Sequence, residues 1–241
     1  CQAPTTLREG REQAYHAVTG GYILGELIKR VTGESIKDYW RQYVKEPMGM
    51  RFFDYGIEAE DLDKLALNYM TGPKIYFPIS RYAQHVLGMN LDQIVELSNE
   101  RRFYEPSVPA ANMTATAEEV SRLFQVMLDQ GQWNGRQIFD PLTIHRATLE
   151  VSEAKFDKSF LLPMRYSAGM MLGGSPIGIF GPNTDQAYGH IGLSNILNWA
   201  DPQRGISVAL LTTGKPLVAH HGTAIVMALR AISQHCPSNG A

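Results

Sequence analysis

The sequence predicts an α+β fold in which an antiparallel β-sheet is flanked by helices. Three observations predict it. Apolar residues recur at helical spacing as far as Leu149, the period then changes to that of strands, and one further helical segment closes the chain. Helices followed by a strand cluster and a terminal helix favour this class over alternating βαβ units.

The first element lies in the stretch EQAYHAVTGGYILGELIKRVTG, Glu12 to Gly33. Ala17, Val18, Leu24, Leu27, Ile28 and Val31 fall at helical spacing, predicting a core helix that Gly33 stops. Ser35 is placed to cap a second helix through Val44, which ends before Pro47. Arg51 to Ile57 reads as a short strand and Ile94 to Arg101 as a helix, followed by the irregular FYEPSVPAANMT. Thr116 and Glu119 form a capping box for a helix with Val120, Leu123, Phe124 and Met127 on one face. GQWNG closes that helix as a turn, and Pro141 to Leu149 is a further short helix.

Strands follow. Tyr166 to Leu172 reads as one, and Ser194 to Ala200 and Ile206 to Thr213 as two more, joined into an antiparallel hairpin by the turn residues Asp201 to Gly205. Val218 to Ile232 makes the final helix.

Composition sets bounds on function. With 241 residues, 44% of them hydrophobic, the chain can bury a sizeable core without disulfides. A net charge of −2 and a pI near 6.4 argue against a nucleic-acid partner, whose electrostatic footprint would be basic. No apolar run approaches the roughly 18 residues that span a bilayer. Cys1 and Cys236 stand at opposite ends, with neither a disulfide framework nor zinc-ligand spacing, so no metal or cofactor is expected and the compartment stays unknown.

Several residues could carry chemistry. Tyr15 and His16 stand side by side where the first helix begins; a tyrosine acts as a base only when a nearby cation lowers its pKa, and structural packing is the commoner role. In YGHIGLSN, His190 and Gly192 precede a hairpin strand, where small residues allow close approach and backbone N–H groups can face a developing oxyanion. Ser152 and Lys155 match S-x-x-K, but they sit beside the charged loop FDKSF and read as a solvated surface segment. Ser194 lacks the second glycine of a nucleophile elbow, and His220-His221 lacks an i+4 ligand partner. Asn112-Met113-Thr114 is formally a glycosylation sequon.

Taken together these segments resemble a known family. YHAVTGGYILGELIKRVTGESIKDYW…EPMGM is similar to the second-motif region of serine hydrolases with the class C β-lactamase (penicillin-binding-protein/transpeptidase-like) fold, in its Tyr-His-Ala variant. VPAANMTATAEEVSRLFQVMLDQGQWNGRQI resembles the family's later helix and turn. YGHIGLSNILNWADPQRGISVALLTT resembles its third motif, K-T-G in β-lactamases and often H-x-G in esterase-like members. Three motifs in register over nearly the whole chain make the resemblance fairly specific.

The resemblance implies that residues 1–241 are the C-terminal part of a single domain whose nucleophilic S-x-x-K precedes Tyr15, leaving the fold N-terminally incomplete and the chain inactive alone. It implies an acyl-enzyme mechanism in which Tyr15 shares the serine proton with the lysine. His190 would line the site, and the backbone N–H of Leu193 would be one oxyanion donor. His16, Ile191 and Gly192 would contact the substrate. Ala17 and Ile191 stand where β-lactamases carry polar groups, which tilts the expectation toward a carboxylesterase acting on small esters. A β-lactamase or D-alanyl peptidase, and a non-catalytic binding or scaffold domain, remain alternatives. An exposed apolar face or unpaired edge would invite self-association or pairing with the missing N-terminal segment.

Overall fold

The computed structural model describes residues 12–193, 195–216 and 222–238. Helix α1 (Ala17–Thr32) ends as its sequence demands: Gly33 adopts the left-handed conformation at φ 80° and donates its N–H to Lys29 O at 2.9 Å. The Ser35 hydroxyl accepts the Asp38 N–H, opening α2 (Ile36–Trp40), which continues as a π-helical turn through Lys45. The strand expected over Arg51 to Ile57 shrinks to Asp54–Tyr55, paired with Met113–Thr114, because Gly56 turns the chain at φ 76°. The Ile94 to Arg101 helix starts earlier, at Leu91, and breaks after Leu97, with a separate turn at Arg101–Tyr104.

Helix α3 (Ala117–Leu128) carries the expected capping box, and Glu119 does more than cap. Its Oε1 also accepts the N–H groups of Arg51 at 2.6 Å and Phe52 at 2.9 Å, tying the helix start to a distant segment. The GQWNG turn becomes a tight hairpin between Gln132–Trp133 and Arg136–Gln137. Asn112 is buried, and its amide donates to Phe103 O and Pro106 O, so the apparent sequon is a structural element.

Among the described residues the main sheet has six strands: β1 (Lys155–Asp157), β2 (Leu162–Tyr166), β3 (Met171–Leu172), β4 (Tyr188–Gly192), β5 (Ile196–Asp201) and β6 (Ile206–Leu210). They lie side by side in chain order as an antiparallel meander. The single strand expected over Tyr166 to Leu172 is instead the end of β2, a turn in which Ser167 N bonds Met170 O, and β3. His190 lies inside a strand of its own, where the sequence suggested a position before one. The β5–β6 hairpin closes as predicted, around a buried Asp201 whose carboxylate pairs with Arg204 at 2.6 Å. The described part of helix α4 is Gly222–His235; Val218 to His221, and with them His220-His221, lie outside the described residues, as does Ser194.

Alternation along β4 and β5 divides the interior into two cores. Tyr188 and Ala200 face one core with Val120, Phe124 and Met127 of α3. Leu197 and Trp199 face the other, with Phe180, Met164 and Leu229 of α4; Trp199 is 1% exposed and stacks on Phe180. Gly189 lies opposite Trp199, and a Cβ there would meet Asn198 O at 2.1 Å. Helix α1 departs from its expected role: Val18, Leu24, Leu27 and Val31 are each at least half exposed. The side of α1 that packs is its glycine side, where Gly21 and Gly25 come close against Pro109.

Candidate active site

Tyr15 belongs to no regular element. Glu12 to His16 run alongside β1 and the turn after it: Gln13 bridges Asp157 in parallel, and Lys158 N–H donates to Gln13 O at 2.9 Å. The Gln13 amide donates to Met164 O at 3.2 Å, and Lys158 pairs with Glu12 at 2.8 Å. Ser159 Oγ donates to the carbonyl of Tyr15 at 3.0 Å, and the Phe160 ring packs 5.3 Å from the Tyr15 ring.

This placement delivers the phenol to β4. Tyr15 Oη lies 2.7 Å from His190 Nε2, with ring centroids 5.4 Å apart. Burial pushes the Tyr15 pKa up to about 12, and it is the sole cause of the shift, so among the described residues no cation acts on the phenol. Burial also lowers the His190 pKa below its usual value, opposed by a backbone hydrogen bond at Ile191. At neutral pH both groups are therefore uncharged, which makes Tyr15 the donor and His190 Nε2 the acceptor.

Backbone geometry beside the pair is open. The pairing of β4 with β3 stops at Gly189, because β3 is two residues long, so His190 to Gly192 lie past the end of that ladder. Leu193 follows Gly192 in the turn toward β5 and is 37% exposed. Leu193 thus follows directly on the strand that carries His190. A cavity of about 350 Å³ lies elsewhere, lined by Thr71, Leu210, Thr212 and Ala224 among others, at the sheet edge formed by β6. Neither Tyr15 nor His190 lines that cavity; the pair is part-buried.

The remaining candidates separate. Ile191 packs with Tyr15 and Phe160 on the core that holds Trp199. His16 is exposed, its Nδ1 3.1 Å from Ala14 O, beside the pair in sequence but turned onto its own segment. Ser152 and Lys155 lie on a loop and at the start of β1, not one helical turn apart. Among the described residues no group of His, Cys, Asp or Glu side chains comes together as a metal site, and no helix is long and apolar enough to cross a membrane.

Within the charged loop FDKSF, the sequence reading did not single out Asp157. It is 0% exposed, its oxygens consumed by Ser159 N–H, Phe160 N–H and the Tyr166 hydroxyl. An aspartate followed two residues later by serine is the signature of an Asx-turn, and that signal could have found it.

An antiparallel sheet packed between helices is the β-lactamase/transpeptidase-like fold. The chain belongs to the Beta-lactamase family, whose domain matches residues 2–231. It is 24% identical over 211 residues to the esterase/beta-lactamase LipL of Mycobacterium tuberculosis, covering 83% of this chain and 48% of that protein. Among solved structures it resembles EstA from Arthrobacter nitroguajacolicus, with a TM-score of 0.75 and 21% identity over 98% of this chain and 64% of that one. A family VIII carboxylesterase gives a TM-score of 0.74 at 21% identity, over 91% of this chain and 58% of that one. These structures share the fold. The chain spans about half the length of the curated relatives it matches.

Proposed function

We propose that the whole protein is a serine hydrolase that cleaves small carboxylic esters through an acyl-enzyme, and that Tyr15 and His190 form the acid–base end of its site. The observation that carries this reading is the 2.7 Å hydrogen bond between Tyr15 Oη and His190 Nε2. The nucleophilic serine and the lysine of S-x-x-K come, in this reading, from residues outside these 241. The exposed face of α1, with Val18, Leu24, Leu27 and Val31, is where such residues would pack.

The pKa of Tyr15 explains why a lysine is needed. A phenol held near 12 by burial is a poor base at neutral pH, and an ammonium beside it favours phenolate. The serine Oγ–H proton then passes to Tyr15 as Oγ bonds the ester carbonyl carbon. The oxyanion meets the Leu193 N–H, and the proton moves on to the departing alkoxide. Water repeats the cycle to release the acid.

Esters are favoured over β-lactams on charge. β-Lactams carry a carboxylate, and a neutral His190 offers it no cation, whereas an ester needs none. A β-lactamase or D-alanyl peptidase is the second reading, and LipL's double description keeps it in play. Hydrolysis of a chromogenic short-chain ester by the full-length protein, its loss in Tyr15→Phe, and no turnover by the 241-residue chain alone are the expected results. An unaffected Tyr15→Phe variant overturns the assignment, and a full-length protein with no hydrolase activity points to a scaffold domain.

A further inference from the structure

The N-terminus of α1 does not position Tyr15. His16, its N-cap residue, makes no capping side-chain bond, and Tyr15 precedes the helix in irregular chain. What holds Tyr15 is three consecutive residues of the turn after β1. Lys158 N–H binds Gln13 O, Ser159 Oγ binds Tyr15 O, and the Phe160 ring lies against the phenol ring.

That turn is itself folded around one carboxylate. Asp157 Oδ1 accepts Ser159 N–H at 2.8 Å and Phe160 N–H at 3.0 Å, while Oδ2 accepts the Tyr166 hydroxyl at 3.0 Å. Among the described residues no lysine or arginine pairs with Asp157, so these three hydrogen bonds are what its burial rests on. The second carboxylate oxygen adds a grip on Tyr166, whose phenol is held firmly protonated by burial and by Asp157 and so stays a donor. The outer side of the turn is braced by Tyr82, which donates to Lys158 O from the helix Ile79–Leu87.

We propose that Asp157 and Ser159 are positioning residues for Tyr15: the buried carboxylate shapes the 157–160 turn, and the Ser159 hydroxyl fixes the tyrosine carbonyl so that the phenol meets His190. This rests on the reading of Tyr15 as an acid–base group. Loss of either residue leaves substrate binding in place and lets the phenol drift from Nε2, a displacement that lowers turnover.

The test uses the full-length protein and four variants, with two readouts: steady-state ester hydrolysis, and the ¹⁵N resonance of His190 Nε2. Ser159→Ala is expected to lower kcat about tenfold with KM changed less than about twofold, and to shift the Nε2 resonance. Ser159→Thr, which keeps the hydroxyl, is expected to restore both. Asp157→Asn is expected to lower kcat by about tenfold or more and to shift the same resonance. Folded Ser159→Ala protein with the kcat and Nε2 resonance of the parent overturns the proposal, whether or not Asp157→Asn folds. If Tyr15→Phe keeps full activity while Ser159→Ala still shifts the resonance, the positioning stands and the acid–base reading falls.

Discussion

The phenol of Tyr15 sits 2.7 Å from Nε2 of His190, a residue 175 positions later in the chain. A strand-borne histidine and a tyrosine from irregular chain meet because the turn after β1 carries the tyrosine to the sheet. Replacing Tyr15 with Phe keeps the ring against Phe160 and removes only the hydroxyl. In the full-length protein kcat for ester hydrolysis should fall by about a hundredfold or more, with KM little changed, as steady-state kinetics would show.

His190 gives the molecule an acid-side pH dependence of defined sign. Its pKa is lowered by burial, so as pH falls below about 6.5 the unfolded chain takes up a proton that the folded one refuses. Its contribution to stability is fully present above that pH and is lost as pH falls toward the lower folded pKa. Denaturant midpoints measured from about pH 8 to about pH 5 should decline, and His190→Gln should flatten the decline.

The alkaline side reports on the lysine. Tyr15 and Tyr188 are both raised to about 12 by burial, so stability is lost as pH rises above about 10, where unfolded tyrosines ionise and these do not. Tyrosinate absorbance should show Tyr15 ionising late in the 241-residue chain, identified by difference against Tyr15→Phe. In the full-length protein the same phenol should ionise at lower pH. Identical titrations in the two would remove the cation from the account.

Much of this was legible from local chemistry. Gly33 as a helix stop, the Thr116–Glu119 capping box and the Asp201 turn are short-range devices, and each is built as its residues dictate. Tyr15 and His190 could be named as candidates, but their hydrogen bond depends on a register between segments 175 residues apart, which no local pattern encodes. Asp157 in FDKSF was passed over because its burial rests on three donors, one of them the Tyr166 hydroxyl from the next strand. Helix α1 misled: its periodic apolar face is real, yet the described chain covers its glycine side.

Glu119 tests the link between local and distant structure. Its carboxylate closes the cap of α3 and also satisfies the Arg51 and Phe52 N–H groups. Glu119→Ala should cost about 2–4 kcal/mol, more than the roughly 1 kcal/mol of a lost cap alone, because those donors are left unpaired. Chemical denaturation gives the value, and a loss confined to the cap alone would show that the long-range bonds to Arg51 and Phe52 contribute nothing.

The most direct test of the Tyr15–His190 account is the rate of acyl-enzyme formation, followed by intact mass on the full-length protein with a slowly deacylating ester. The account predicts one acyl group on a serine outside these 241 residues, formed about a hundredfold or more slowly in Tyr15→Phe. An acyl group carried by any residue of this chain, or an unchanged rate in Tyr15→Phe, would contradict it.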